Sequence, residues 1–194
     1  GVGVYGPAPG SYDGPAFNED SAPFNPDTFL GSISKLTEAT GAELADAGVR
    51  AVFVRPGVVL SPQGGALRQM LLPFKLGLGG PMGSGEQKFP WISLRDAVGA
   101  ILHVIQTPSI VGPVNLVSPT AAQTSQRDFA TALGRALHRP AVIPVPGFVL
   151  RTVLGQAADE LLLGSLKIEP RVLNKTGFAF QDTDLGKYLS ETVQ

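Results

Sequence analysis

Three side chains of this sequence, on predicted strands and a predicted helix, could do acid–base or binding chemistry. Arg55 follows four apolar residues and precedes Pro56, which restricts Arg55 to extended backbone. A cation there lies at the carboxyl end of a predicted buried strand, where α/β proteins bind ligands, although a structural ion pair explains it equally well. Lys35 is, by residue type alone, a solvated lysine on a predicted helix. Tyr5 could act as an acid, but an aromatic residue at the end of a strand is the favoured interpretation.

A glycine-rich segment and two aromatic residues follow. Residues 77–85 carry too many glycines for a regular helix and lack Gly-Lys-Ser/Thr, so they predict a backbone lining and not a phosphate loop. Phe89 and Trp91 alternate along a predicted strand and would share one face. They could stack on a ligand ring or belong to the core; the core is favoured for Phe89, and Trp91 stays open.

Several kinds of site are disfavoured by residue type. The chain has no Cys and only two His, His103 and His138, so we predict no metal site. No Gly-x-Ser-x-Gly occurs, which removes support for a hydrolase nucleophile. The glycines of residues 1–6 match the dinucleotide fingerprint in spacing, but no strand precedes them and prolines follow, so we do not assign them to a cofactor.

Composition restricts the class of protein. The 194 residues are 43% hydrophobic and 16% charged, which is enough apolar material for a core. The net charge of −1 gives no reason to expect nucleic acid or an anionic membrane as a partner. The absence of Cys fits a reducing compartment, and we expect a cytoplasmic protein or one of an organellar stroma or matrix.

The order of elements predicts an α/β fold. Predicted strands at 49–54 (continuing through 57–60), 88–93 and 114–117 alternate with predicted helices at 28–46, 66–76, 94–105 and 125–137. Asp27 or Thr28 would cap the first helix, and Asp96 is expected to cap the third or to orient the preceding strand. The alternation predicts a parallel sheet over residues 1–145. Residues 146–194 predict a small, mostly helical appendage, with Leu161–Leu163 as its core or, less favoured, a partner surface.

Several segments together resemble extended short-chain dehydrogenases/reductases of the NAD-dependent epimerase/dehydratase type. They are GVYG at residues 3–6, Lys35 between Ser34 and Glu38, RPGVV at 55–59 and GSGEQKFPWISLRD at 83–96. The run LLPFKLGLGGPMGSGEQKFPWISLRD, VNLVSP, and the tail from Pro146 resemble an epimerase-like branch that ends in a small C-terminal domain of unknown function.

The resemblance implies a role for particular residues. The fold would be the C-terminal part of a Rossmann-like parallel sheet over 1–145, with the small helical domain at 146–194. The activity would be NAD(P)-dependent hydride exchange on a hydroxyl or keto substrate. Lys35 and Tyr5 would be the catalytic candidates, and the substrate, for which a nucleotide-sugar-like molecule is one candidate, would meet Gln87, Phe89 and Trp91. The nicotinamide side of the cofactor would contact Lys35, Arg55, Pro56, Gly57 and Val58.

The sequence also departs from the family pattern. The position four before Lys35, where the family carries its catalytic phenol, is Gly31. The strand, glycine-rich turn and helix that bind the dinucleotide pyrophosphate are not in these residues, so most of the NAD(P) site is expected on a missing N-terminal segment. We therefore expect no tight dinucleotide binding and no activity from these residues alone. The alternative is a catalytically silent cofactor-sensing or protein-interaction module.

Overall fold

A computed structural model describes residues 1–155 and 158–193 and shows an α/β arrangement. Its helices are α1 (Phe29–Asp46), α2 (Gly65–Lys75), α3 (Leu94–Gln106), α4 (Gln126–Ala136), α5 (Gly147–Leu154), α6 (Arg171–Lys175) and α7 (Leu185–Thr192). Its strands are β1 (Ala8–Pro9), β2 (Val52–Pro56), β3 (Val58–Leu60), β4 (Trp91–Ser93), β5 (Gly112–Leu116) and β6 (Gly164–Ser165).

The central strands are parallel, as the alternation of strands and helices predicts. β2 pairs with β5 and β3 pairs with β4, both in parallel, whereas β1 and β6 form a small antiparallel pair. The strand with which the run 52–60 pairs changes at Gly57. The Gly57 amide donates to the Leu116 carbonyl at 3.0 Å, and the Val58 amide donates to the Pro90 carbonyl at 2.7 Å. The run 52–60 therefore bridges two strand pairs.

Side-chain caps set the starts of four helices, including α7, where Asp184 accepts from the Lys187 amide. Thr28 accepts a hydrogen bond from the Gly31 amide at the start of α1, and Ser125 forms a reciprocal capping box with Asp128 at the start of α4. The cap of α3 is Ser93, which accepts from the Asp96 amide at 3.0 Å. The sequence interpretation of Asp96 as the cap is therefore wrong, and its carboxylate accepts instead from the Gln181 and Asp182 amides.

Some predicted strands are shorter or different in the structure. Residues 2–5 form a 3₁₀ turn and not a strand end, because no neighbouring strand within the described residues pairs with them and i to i+3 bonds satisfy their amides. Only Trp91–Ser93 of the predicted 88–93 strand is regular. Residues 142–145 form no regular strand, and Val145 makes only an isolated bridge with Met82.

The apolar faces of two helices are exposed in the structure. Phe29 and Leu36 of α1 are 67% and 72% exposed, and Ile105 of α3 is 60% exposed. The helical periodicity correctly places these side chains on common faces, but nothing among the described residues covers them. Within residues 1–155 and 158–193, no helix has both the length and the apolarity needed to cross a membrane.

The tail packs against the sheet through polar anchors as well as apolar contacts. The Tyr188 hydroxyl on α7 donates to the Leu60 carbonyl at 2.6 Å. The Asp96 carboxylate accepts hydrogen bonds from the Gln181 and Asp182 amides, each at 2.9 Å. Burial alone would raise the pKa of Asp182, but its bonds to Arg95 and Ser93 outweigh burial and hold that pKa below its usual value. A domain boundary at residue 145 stays a prediction.

Candidate functional site

A cavity of about 330 Å³ opens where β2 ends and β3 begins. Its walls come from the N-terminal turn, α1, the β2–β3 junction, α2, the segment around Gln87–Pro90 and the tail from Glu160 to Leu166. Ligands of α/β proteins bind at the carboxyl ends of parallel strands, and this cavity has that position. It is the candidate functional site.

Part of the segment predicted to contact the nicotinamide lines this cavity. Pro56, Gly57 and Val58 are all in its wall. A Cβ on Gly57 would lie 2.0 Å from the Pro90 carbonyl oxygen, so only glycine lets the two wall segments approach this closely. The glycine of the Arg-Pro-Gly-Val-Val motif is thus required by close packing of the wall.

The predicted substrate residues separate into two groups. Gln87 and Phe89 line the cavity. Trp91 is fully buried behind it, where its indole N–H donates to Thr124 Oγ1 at 3.3 Å and its ring stacks on Tyr188. The structure therefore places Trp91 in the core, one of the two interpretations that the sequence leaves open.

Tyr5 and Arg55 belong to a buried polar network outside the cavity wall. Arg55 donates from Nε and Nη2 to the two carboxylate oxygens of Glu38, both at 2.7 Å, and from Nη1 to the Tyr5 hydroxyl at 2.9 Å. That hydroxyl also lies 2.9 Å from the carbonyl of Asn18 and from Asn115 Oδ1. The arrangement matches the structural ion pair that sequence analysis offered as the alternative for Arg55.

Electrostatics in this network do not prepare Tyr5 for acid–base chemistry. Burial raises the pKa of the Tyr5 phenol above its usual value, and the opposing charge of Arg55 does not reverse the shift. A tyrosine that serves as a catalytic acid or base needs the opposite shift of its pKa, toward the working pH. For Arg55, burial acts to lower the pKa, but the hydrogen bonds and charges of Glu38 and Tyr5 outweigh it and raise the pKa.

Lys35 and position 31, where the family carries its phenol, both lie on α1. Lys35 is exposed and makes no ion pair within the described part of the chain, whereas the preceding Ser34 lines the cavity. Gly31 is buried under the cap, and a Cβ there would lie 2.8 Å from Thr28 Oγ1 and 2.9 Å from the Pro26 carbonyl oxygen. A side chain at position 31 would first meet the cap, so the helix start is built around glycine.

Glu160, which the sequence did not single out, joins the tail to α1. Its Oε1 and Oε2 accept hydrogen bonds from the Phe29 and Leu30 amides at 3.0 and 2.8 Å. These are first-turn amides without partners inside the helix, and a carboxylate there also suits the helix dipole. Leu161, 59% exposed, and Leu162 follow Glu160 into the cavity wall. The leucine cluster therefore contributes to the cavity.

Replacing Glu160 by alanine is expected to lower the free energy of unfolding by about 1 kcal/mol, because two first-turn amides lose a charged acceptor that is only partly buried. Chemical denaturation monitored by circular dichroism measures the change. Glu86→Ala is the matched control: Glu86 pairs with Arg127 between exposed side chains, so its loss should cost about 0.5 kcal/mol or less. Equal losses in both variants would contradict a specific role for Glu160 at α1.

Similar proteins define the class to which this fold and cavity belong. A family model described as a domain of unknown function (DUF1731) matches residues 145–192. The crystal structure of human epimerase family protein SDR39U1 with NADPH has a TM-score of 0.82 and 37% identity over 98% of this chain and 62% of that chain. A nucleoside-diphosphate sugar epimerase from Corynebacterium glutamicum has a TM-score of 0.76 and 30% identity over 99% of this chain and 36% of that chain. The chain belongs to the NAD-dependent epimerase family of short-chain dehydrogenases/reductases, with a Rossmann-like parallel sheet.

One curated relative indicates the branch of the family that this chain resembles. The chain is 43% identical to epimerase family protein SDR39U1 of Bos taurus over 177 residues, which are 91% of this chain and 59% of the relative. The chain thus spans about three fifths of the length of that curated relative.

Proposed function

We propose that this chain forms the nicotinamide and substrate side of an NAD(P)-dependent, epimerase-like oxidoreductase that acts on a hydroxyl or keto group of a small molecule. The observation that carries the proposal is the cavity at the carboxyl end of β2, where Pro56–Val58 meets Gln87 and Phe89. Support comes from the human relative, whose crystal structure is described as containing NADPH.

The residues present suit one end of the cofactor. Pro56, Gly57 and Val58 offer a flat, mostly apolar wall against which a nicotinamide ring could pack. When bound, the cofactor supplies the hydride acceptor or donor. Lys35, on the helix that borders the cavity, would bind ribose hydroxyls with its ammonium group. Within the described residues no G-x-G-x-x-G turn joins a strand to a helix, and the turn between β3 and α2 carries only the glycines Gly64 and Gly65, so we infer that this chain holds only the nicotinamide end of the cofactor.

Titration with NADPH, followed by calorimetry, tests the proposal. We expect no saturation of these 194 residues at micromolar NADPH, because the pyrophosphate cradle contributes most of the charged contacts. A chain extended by the coding sequence upstream of residue 1 should saturate. In that longer chain, Lys35→Met should weaken binding about tenfold by removing a charge-assisted hydrogen bond.

Lys75→Met is the matched control, since Lys75 is also an exposed lysine but lies at the end of α2. Neither of its chain neighbours, Phe74 or Leu76, lines the cavity, whereas Lys35 follows the cavity-lining Ser34. The NADPH affinity of Lys75→Met should be unchanged. Micromolar binding by the 194 residues alone would contradict the assignment of the pyrophosphate site to other residues. Failure of the longer chain to bind NADPH would contradict the proposed function itself.

A catalytically silent, cofactor-sensing protein is the second candidate. Its support is the packing of Gly31 against the Thr28 cap, which leaves no room for the family's phenol, together with the internal use of the Tyr5 hydroxyl. Binding of NADPH without hydride transfer to any of a panel of aldehydes and ketones would favour this candidate over the oxidoreductase.

A further inference from the structure

The wall of the cavity is largely apolar. Its apolar side chains come from α1, the β2–β3 junction, α2, the segment before β4 and the tail; they include Leu30, Ile33, Val58, Met70, Phe89 and Leu161. The cationic side chain in this wall is Lys88, whose ammonium lies 3.5 Å from the Gln123 carbonyl on the exposed side of the segment. The wall therefore offers little positive charge to a ligand.

The two buried glutamine side chains of the wall already bind other parts of the protein. Gln87, 3% exposed, donates from Nε2 to the carbonyls of Met82 and Leu162 at 3.0 and 2.9 Å. Gln126, also 3% exposed, accepts from the Met82 amide at 2.8 Å. These amides tie the glycine-rich segment and the tail together. A polar ligand would have to break those hydrogen bonds, and the free energy of the new bonds would only about equal that of the bonds lost.

The usual anion site at this place is filled by the chain itself. The start of α1 borders the cavity, and the amides at a helix N-terminus are a common phosphate site. Here the Phe29 and Leu30 amides donate to the Glu160 carboxylate at 3.0 and 2.8 Å. A diphosphate would have to displace that carboxylate and would be repelled by its charge.

We propose that the substrate side of this cavity takes a neutral, mostly apolar carbonyl compound or alcohol, and not a nucleoside-diphosphate sugar. This inference rests on the proposed function, because it names the substrate class of the same site. The cavity volume of about 330 Å³ lies at the small end of the range for small-molecule sites. Shape and apolar contact, with few polar groups, would then determine which substrates enter.

Binding of two probes tests the substrate class. The probes are 4-phenyl-2-butanone, a neutral aromatic ketone, and UDP-glucose, each titrated against the chain by saturation-transfer NMR and calorimetry. We expect saturable binding of the ketone and no saturation by UDP-glucose at the same concentrations. Met70→Lys, which brings a charge into the apolar wall, should weaken ketone binding at least tenfold.

Leu72→Lys is the matched control, because Leu72 lies on the same helix, is 67% exposed and is outside the cavity wall. Its ketone affinity should equal that of the unchanged chain, and circular dichroism of both variants verifies the fold. Tighter binding of UDP-glucose than of the ketone, or equal loss in the two lysine variants, would overturn the proposal. Neither measurement uses NADPH or turnover. A failure of the proposed oxidoreductase function would be seen as absent NADPH binding by the longer chain, whereas a failure of this proposal would be seen in the binding of the ketone and UDP-glucose.

Discussion

Replacing Gly57 by alanine is expected to lower the free energy of unfolding by about 3 kcal/mol and to distort the cavity. The new methyl group would lie 2.0 Å from the Pro90 carbonyl oxygen and 2.8 Å from Val117 Cγ1. The first of these atoms is backbone, so relief requires the β2–β3 junction and the segment before β4 to separate. That movement breaks the bond from the Val58 amide to the Pro90 carbonyl, now 2.7 Å.

Urea denaturation and titration with 4-phenyl-2-butanone together measure the two effects of Gly57→Ala. The matched control is Gly64→Ala, because a Cβ at Gly64 meets no atom within 4 Å and its φ of −166° suits any residue. The control should change the free energy of unfolding by less than about 1 kcal/mol and leave ketone affinity unchanged. A Gly57→Ala protein as stable as this control would show that the wall can separate freely, contrary to the packing described above.

Local chemistry made much of the fold predictable. Helix starts depend on a hydroxyl or carboxylate within three residues, so the sequence placed the start of α1 at Asp27 or Thr28 and the structure selects Thr28. The parallel pairing was predictable from a β-branched run with little alternation, but the burial on both faces that this run predicts is wrong for most of β2 and β3, since residues 52–54 and 58–59 are only half-buried. The turn at residues 2–5 was not, since strand formation depends on a partner that local sequence does not specify.

The candidate site was predictable only in part. The Pro56–Val58 wall lies at a strand end that the sequence marks by an arginine and a proline, and the structure places that segment on the cavity. Glu160 had no comparable signal, because it bonds to the amides of Phe29 and Leu30 about 130 positions earlier in the chain. Arg55 was left between a ligand contact and an ion pair, and only the position of Glu38 in space separates these alternatives.

The exposed face of α1 shows a further limit of sequence periodicity. Phe29, Ile33 and Leu36 share a face, as the helical spacing predicts, yet they are 67%, 47% and 72% exposed. Spacing tells which side chains share a face of a helix, but the covering surface is set by tertiary packing. The pattern therefore predicted an apolar face correctly and could not predict its exposure.

Replacing Asp96 by alanine is expected to lower the free energy of unfolding by about 3 kcal/mol. Asp96 is 1% exposed, and its two carboxylate oxygens accept from the Gln181 and Asp182 amides, each at 2.9 Å. Alanine leaves the buried Asp182 amide and the partly buried Gln181 amide without this acceptor, and losing a buried hydrogen bond in this way costs roughly 1–3 kcal/mol. The carboxylate also lies in the first turn of α3, where the helix dipole favours negative charge.

The expected loss for Asp96→Ala includes a local signature. Hydrogen exchange at the Gln181 and Asp182 amides should become faster than in the unchanged chain, while exchange within β2 and β5 should follow only the global stability. Asp184→Ala is the matched control, since Asp184 is an exposed cap that accepts one bond, from the Lys187 amide at 2.9 Å, and its removal should cost about 1 kcal/mol. If Asp96→Ala costs no more than this control, the buried carboxylate is not what anchors the tail, and the tail's position over the cavity must depend on α7 and Glu160 instead.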